Sequence, residues 1–225
     1  MSRITPDTLP FAAVIFDLDG LLVDSEPLQA WAWDAYAQQH GKRLRPEILH
    51  AMLGRRAIDT MDIYLGSLGI DVPPEIAIAE RDKIFIAAVP DGVQLKPGAA
   101  DLLDWLEARQ VPTALATSGQ RHYVDLVLRD VTHPFGARMT AEHVTRGKPA
   151  PDIYLAAAAA LGIDPARCLA LEDAVLGVQA AVAAGMTCWA VPDDPAHGFD
   201  LSHAHRILPS LTAVLDALQQ SQQTN

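Results

Sequence analysis

Short apolar segments that stop at polar or small residues recur along this chain and constrain its fold more than any other feature. Five of them are short and apolar enough to be buried strands of a mainly parallel sheet. They are Phe11–Phe16, Thr113–Ala116, Cys168–Leu171, Thr187–Val191 and Arg206–Leu208. Helical patterns alternate with them at Gly98–Arg109, Arg121–Arg129, Pro151–Leu161, Ala174–Ala184 and Ser210–Gln219. This alternation predicts an α/β fold with a doubly wound sheet.

The stretch between the first and second predicted strands breaks that alternation. All of its segments have helical patterns and none is typical of a strand: Leu28–His40, Pro46–Leu53, Ala57–Leu68 and Pro74–Val89. A helical block of this length, placed between the first strand and the next strand–helix unit, indicates an insertion. We therefore predict an α/β core domain of residues 1–24 and 94–225, and an inserted α-helical cap domain of residues 25–93.

Composition excludes several classes of protein. The 225 residues include 17 Lys and Arg against 28 Asp and Glu, and the formal charge of −11 is unsuited to binding a nucleic-acid backbone. No apolar run approaches the roughly 18 residues of a membrane span. Cys168 and Cys188 lack the spacing of a disulfide framework or a zinc site, and the first ten residues show no secretory signal. We expect a cytoplasmic protein without nucleic-acid or membrane partners. We expect it to be a monomer, with a dimer as the alternative.

Polar residues stand directly after three of the predicted strands and before one helix. They are Asp17 and Asp19 with Gly20, Thr117 with Ser118, Glu172 with Asp173, and Lys148 ahead of the helix at Pro151. Taken singly, they could form a turn, cap helices or carry a surface charge. Because ligands of open α/β sheets bind at the carboxyl ends of the strands, their shared placement favours a common site.

Four segments resemble, in the correct order, the motifs of the haloacid dehalogenase-like hydrolases. They are Phe16–Pro27, Ala116–Ser118, Gly147–Asp152 and Leu171–Asp173. The first and third are specific, and together the four frame nearly the whole chain. The helical insert is similar to the cap of the β-phosphoglucomutase and phosphoglycolate phosphatase branch. The resemblance implies a Rossmann-like core that carries a phosphoryl-transfer site.

The resemblance also implies roles for the carboxylates. Asp17 would be the nucleophile that forms an aspartyl-phosphate, and Asp19 would act first as general acid and then as general base. The implied cofactor is Mg²⁺, held by the carboxylate of Asp17, the backbone carbonyl of Asp19 and the carboxylate of Asp173. Glu172 would orient waters or share in the metal shell.

Binding groups follow from the same resemblance. Thr117 or Ser118, together with Lys148, would bind the oxygens of the transferred phosphoryl group. In the cap, Gln29 is a candidate substrate contact, and so is one of the neighbouring Arg55 and Arg56, of which we choose Arg55. A surface salt bridge is an equal alternative for each of the two arginines. A cap over the strand ends favours a small phosphorylated metabolite over a folded protein or a polymer.

The resemblance leaves the reaction to be chosen. Asp19 disfavours a dehalogenase, which lacks this second aspartate. The mutases of this branch resemble one another in a cap His where this chain has Gln29, and in a Lys where it has Leu53. We therefore predict a phosphatase, a phosphomonoester hydrolase acting on a sugar phosphate or a similar compound. A sugar-phosphate mutase and a catalytically silent binding or regulatory module stay as alternatives.

Overall fold

The computed structural model describes residues 9–89, 93–193 and 198–223, and within these ranges it contains six strands and nine α-helices. The strands are β1 Ala13–Phe16, β2 Thr113–Ala116, β3 Ala137–Met139, β4 Cys168–Glu172, β5 Thr187–Ala190 and β6 Arg206–Ile207. The helices are α1 Glu26–Gln39, α2 Pro46–Met52, α3 Met61–Leu68, α4 Pro74–Ala88, α5 Ala99–Ala108, α6 Arg121–Val127, α7 Asp152–Leu161, α8 Val175–Ala183 and α9 Leu211–Gln223. The predicted α/β class is confirmed.

All strand pairs of the sheet are parallel, and the strand order is β3-β2-β1-β4-β5-β6. From β1 the chain adds strands outward on one side through β2 and β3, and then on the other side through β4, β5 and β6. The strand order therefore reverses at β1, which is where open α/β sheets bind ligands. The residues that follow β1, β2 and β4 consequently meet at one edge.

Helices cover both faces of the sheet. Val14 and Phe16 of β1 pack in a cluster with α5 and α9, whereas Ala13 and Ile15 pack on the opposite face with α7 and α8. Side chains alternate between the faces of a strand, so both faces of β1 are buried. This double burial explains why the predicted strands are almost continuously apolar.

One strand was missing from the sequence prediction, and one predicted helix is shorter than expected. β3 pairs with β2 at the edge of the sheet, where Arg138 and Met139 are only half-buried. With a charged residue at its centre, this segment gave no apolar run, so the prediction of five strands was wrong. The segment Arg206–Leu208 was predicted to be a buried strand; it forms β6 at the opposite edge of the sheet, where Arg206 and Ile207 are both exposed. The predicted helix Ala57–Leu68 begins as a 3₁₀ turn at Ala57–Thr60 and is α-helical only from Met61.

Helices α1 to α4 lie between β1 and β2 in the chain and bury an apolar cluster of their own around Trp33, Tyr36 and Tyr64. Phe85 and Val89, at the end of α4, pack instead into the cluster on the sheet. The domain limits proposed from the sequence stay a prediction, and residues 90–92 of the predicted insert lie outside the described residues. Among the described helices, none has the length and apolar character needed to cross a bilayer.

Candidate active site

A buried lysine joins the ends of β1 and β4. The ammonium Nζ of Lys148 lies 2.5 Å from Asp17 Oδ1 and 2.7 Å from Glu172 Oε1. Glu172 Oε1 also accepts a hydrogen bond of 2.5 Å from the hydroxyl of Tyr154 on α7. Its other oxygen faces the backbone N–H of Asp173 at 3.2 Å and of Ala174 at 3.5 Å. The Glu172 carboxylate therefore has four donors: the Lys148 ammonium, the Tyr154 hydroxyl and two backbone N–H groups. The other three donors fix Glu172 in a position where it keeps Lys148 in contact with Asp17.

Hydroxyl groups surround the second aspartate. Asp19 Oδ1 accepts hydrogen bonds from Ser25 Oγ at 2.5 Å and from the Tyr123 hydroxyl, and Asp19 Oδ2 lies 3.5 Å from Thr117 Oγ1. Thr117 is itself fixed, because its Oγ1 accepts from the backbone N–H of Gly119 at 3.0 Å. The two aspartates, only two residues apart, thus have different partners: an ammonium for Asp17 and hydroxyls for Asp19.

Two glycines give the carboxylates their space. Gly20 follows Asp19 with a φ of +77°, and a Cβ there would overlap the Asp173 carboxylate. A Cβ at Gly177 on α8 would overlap the Glu172 carboxylate. The left-handed conformation at Gly20 is strained for residues with a side chain. Both glycines are therefore part of the site's construction.

The site buries more negative charge than its lysine offsets. Burial raises the pKa of Asp17 to about 7 against the lowering effect of Lys148, and Glu172 and Asp19 add to the increase. Burial, together with Asp17 and Glu172, also raises the pKa of Asp173 well above its ordinary value. For Lys148, burial favours a lower pKa, but the two carboxylates outweigh it and keep its pKa raised. These shifts mark a site that lacks positive charge.

The same residues fit a divalent cation. Carboxylate oxygens of Asp17, Glu172 and Asp173 lie within 4.8 Å of one another, and all three residues are buried. Mg²⁺ prefers oxygen ligands and needs only a few from the protein. A bound cation is commonly the largest charge in such a site and would supply what Lys148 alone does not.

A cavity of about 460 Å³ separates this strand edge from the helical insert. Its walls include Asp17, Lys148 and Asp173 on the sheet side, and Gln29 and Arg55 on the insert side. Pockets of this size accommodate small ligands. The structure therefore brings the residues predicted from the strand ends and those predicted from the insert to one cavity.

Three predicted binding residues are placed in more detail. Ser118 Oγ donates to the backbone carbonyl of Gly54 at 3.2 Å, so it also links the sheet edge to the insert. Gln29 on α1 lies against the Tyr123 hydroxyl. Arg55 is exposed at the cavity wall, whereas its neighbour Arg56 pairs with Asp59 at 2.7 Å.

Four further residues of this site were not predicted from the sequence: Ser25, Arg81, Tyr123 and Tyr154. Arg81 on α4 is 5% exposed, lies over the rings of Trp33 and Phe85, and lines the cavity. Burial lowers its pKa. The buried residues of α4 are Ala77, Ile78, Arg81 and Phe85. A cation on that apolar face was a signal in the sequence, whereas the two tyrosines carry no comparable signal.

Comparison with known proteins decides the family. The sequence profile described as haloacid dehalogenase-like hydrolase matches residues 11–185. The chain belongs to this family. The match starts just before β1 and ends after α8, so it includes β1, β2 and β4 and the residues that follow them.

Relatives of known activity support the assignment to this family of hydrolases. The hydrolase is 36% identical over 209 residues to hexitol phosphatase A of Escherichia coli (strain K12), covering 89% of this chain and 91% of that protein. It is 33% identical over 208 residues to (DL)-glycerol-3-phosphatase 1, mitochondrial, of Arabidopsis thaliana, covering 88% and 70%. The crystal structure of β-phosphoglucomutase from Clostridium difficile has a TM-score of 0.83 over 95% of this chain and 98% of that one; at 21% identity it shows the fold alone. The chain is accordingly a phosphomonoester hydrolase of this family.

Proposed function

We propose that this hydrolase is a Mg²⁺-dependent phosphatase that acts on a small sugar or polyol phosphate through an aspartyl-phosphate on Asp17. The observation that carries the proposal is the contrast between the two neighbouring aspartates. Asp17 is buried against the Lys148 ammonium, whereas Asp19 is held by hydroxyl groups. Asp17 is thus suited to attack phosphorus beside a cation, and Asp19 to exchange a proton with the ester oxygen and then with water.

The two half-reactions follow from these roles. An Asp17 oxygen attacks phosphorus, the bond from phosphorus to the ester oxygen breaks, and Asp19 gives its proton to that oxygen so that a neutral alcohol leaves. Asp19 then takes a proton from water, the hydroxide attacks phosphorus, and the bond to Asp17 breaks with release of inorganic phosphate. Lys148 stabilises negative charge beside Asp17 throughout.

The carboxylates of Asp17 and Asp173 and the backbone carbonyl of Asp19 would hold Mg²⁺, with Glu172 adjacent. When bound, the ion supplies positive charge to the phosphoryl oxygens. The raised pKa values of Asp17 and Asp173 support this assignment. Because four donors already occupy Glu172, its contacts favour positioning of Lys148 over direct ligation.

The cavity and the relatives support the substrate class. Thr117 and Ser118 would bind phosphoryl oxygens on the sheet side, and residues 25–93 would form the cap that selects the leaving group through Gln29, Arg55 and Arg81. The two relatives described above are named for a hexitol phosphate and for glycerol 3-phosphate. Cys168 and Cys188 are both free and buried, as expected for the cytoplasmic location that we propose.

Trapping the intermediate tests the proposal. After rapid acid quenching during turnover, mass spectrometry should find a phosphorylated chain with the modification on Asp17, and EDTA should prevent its formation. Asp17→Asn should lower kcat by at least the order of 10⁴-fold, because an amide does not form the acyl-phosphate. Asp130→Asn, the same change at an exposed position, should keep full activity. An active Asp17→Asn protein would overturn the nucleophile assignment, and an inactive wild type would favour the silent module.

The mutase alternative needs a separate measurement. Gln29 and Leu53 stand where the mutases carry His and Lys, so transfer of the phosphoryl group to a second sugar hydroxyl should be poorly supported. We expect ³¹P NMR of the enzyme with glucose 1-phosphate or glucose 6-phosphate to show free phosphate and little interconversion of the two. Rapid interconversion with negligible free phosphate would establish the mutase instead.

A further inference from the structure

The two oxygens of the Asp19 carboxylate have unequal surroundings. Oδ1 accepts two hydrogen bonds, one from Ser25 Oγ at 2.5 Å and one from the Tyr123 hydroxyl. Oδ2 has a single long contact of 3.5 Å, to Thr117 Oγ1. A carboxylate oxygen has two lone pairs, so the donors saturate Oδ1 and leave Oδ2 available for proton transfer.

We propose that Tyr123 is a positioning residue that fixes the Asp19 carboxyl so that Oδ2 carries the proton to and from the reacting oxygen. The inference rests on the proposed role of Asp19 as general acid and base. Without the Tyr123 hydroxyl, Ser25 alone would hold Oδ1, and the carboxyl would rotate more freely about its last side-chain bond. A general acid has to lie within hydrogen-bond reach of the leaving oxygen, so a freely rotating carboxyl donates its proton less effectively.

Tyr123 is itself held from the side of the insert. Its ring, on α6, packs edge-on against Phe85 of α4 with 5.3 Å between the ring centroids, and Gln29 of α1 lies against its hydroxyl. Tyr123 is 7% exposed. The orientation of Asp19 therefore depends on two residues of the helical insert, although Asp19 and Tyr123 both belong to the sheet side of the cavity.

The choice of leaving group distinguishes a positioning role of Tyr123 from a packing role, because a packing defect should affect all substrates alike. An alkyl phosphate, such as glycerol 3-phosphate, needs its leaving oxygen protonated, whereas p-nitrophenyl phosphate releases a stable anion that does not. Up to formation of the aspartyl-phosphate, which kcat/KM reports, loss of the acid should therefore harm the alkyl ester much more. The Asp19→Asn variant, which lacks the acid, gives the reference value for this difference between the esters. Its kcat/KM for the alkyl ester should fall by about 10²- to 10⁴-fold.

Tyr123→Phe should lower kcat/KM for glycerol 3-phosphate by about 2- to 10-fold, which is the usual effect of losing a hydrogen bond between neutral groups, because Asp19 is protonated when it acts as the acid. The nitrophenyl ester should be affected little, and KM for both should stay near the wild-type value. Ser25→Ala should shift the same ratio in the same direction, so it supplies the answer should Tyr123→Phe fail to fold. Tyr64→Phe removes a buried hydroxyl that donates to the Trp33 carbonyl at 2.6 Å, and it should change both esters alike.

Two outcomes would overturn the inference, and they are distinguishable. In the first outcome, Asp19→Asn lowers kcat/KM mainly for the alkyl ester, whereas Tyr123→Phe lowers it equally for both esters or for neither. This outcome would reject the positioning role of Tyr123 and leave the proposed function intact. An Asp19→Asn protein that harms both esters equally would reject Asp19 as the acid, and the role of Tyr123 would be rejected with it.

Discussion

A buried cationic side chain lies on each side of the cavity, and the two differ in how fully their N–H groups are hydrogen-bonded. Lys148, on the sheet side, contacts the carboxylates of Asp17 and Glu172. Arg81, on the side of the insert, pairs with Asp82 at 3.0 Å and lies over two aromatic rings, yet its Nε and Nη2 have no hydrogen-bond partner among the described residues. The protein itself satisfies Lys148, whereas Arg81 retains unused donors. This difference is consistent with the proposed division of roles, in which the sheet side carries out chemistry that is the same for every substrate and the insert recognises groups that differ between substrates.

The strongest test of this contrast is Lys148→Met. The change removes the cation between Asp17 and Glu172, so kcat should fall by about 10²- to 10³-fold for every phosphomonoester alike. It also leaves buried carboxylates unpaired, which should lower the free energy of unfolding by about 3–5 kcal/mol. Steady-state kinetics and urea unfolding measure the two effects. Lys42→Met, at an exposed lysine of the insert, is the matched control, and an active Lys148→Met protein would contradict the assignment.

A smaller, substrate-dependent effect is expected from Arg81→Met, which keeps the length of the apolar stem. If the free N–H groups bind substrate oxygens, KM should rise by about 10- to 100-fold for a hexitol phosphate. The rise should be much smaller for p-nitrophenyl phosphate, which has no hydroxyls. Lys83→Met, an exposed change on the same helix, should leave both KM values unaltered. An equal rise for both substrates would show that Arg81 acts through packing instead.

The smallest effect concerns stability. Burial and nearby carboxylates raise the pKa of Asp173 in the folded protein above the value in the unfolded chain. The folded state then binds more protons, so this group costs stability increasingly as pH rises above about 4, the ordinary pKa of Asp. In EDTA at about pH 8, Asp173→Asn should be more stable than wild type by about 1–3 kcal/mol, and the difference should vanish near pH 4.

Thermal unfolding at several pH values measures that difference. Mg²⁺ should then raise the Tm of the wild type more than that of Asp173→Asn, because the variant has lost one of the two carboxylates that would hold the ion. Asp130→Asn, at an exposed aspartate, should follow the wild type throughout. Equal stabilisation of both proteins by Mg²⁺ would place the ion elsewhere.

Local patterns in the sequence determined much of this molecule. The apolar run that ends at Asp17 predicted β1, and the same reasoning located Thr117 and Glu172 at the ends of β2 and β4. Four helical segments without a strand predicted the composition of the insert. These features were readable because strand and helix periodicity depends on neighbours a few residues apart, and because chemistry at a parallel sheet collects at the carboxyl ends of its strands.

Only the tertiary structure decided which distant groups share a hydrogen bond. It recruited Tyr123 to Asp19 and Tyr154 to Glu172, and it placed Arg81 opposite the carboxylates. It also completed the sheet with β3, whose half-buried residues give no strong apolar pattern. A sequence pattern predicts which positions are buried. The hydrogen-bond partners of a buried hydroxyl or guanidinium group come from distant parts of the chain, and only the packing of the folded protein determines them.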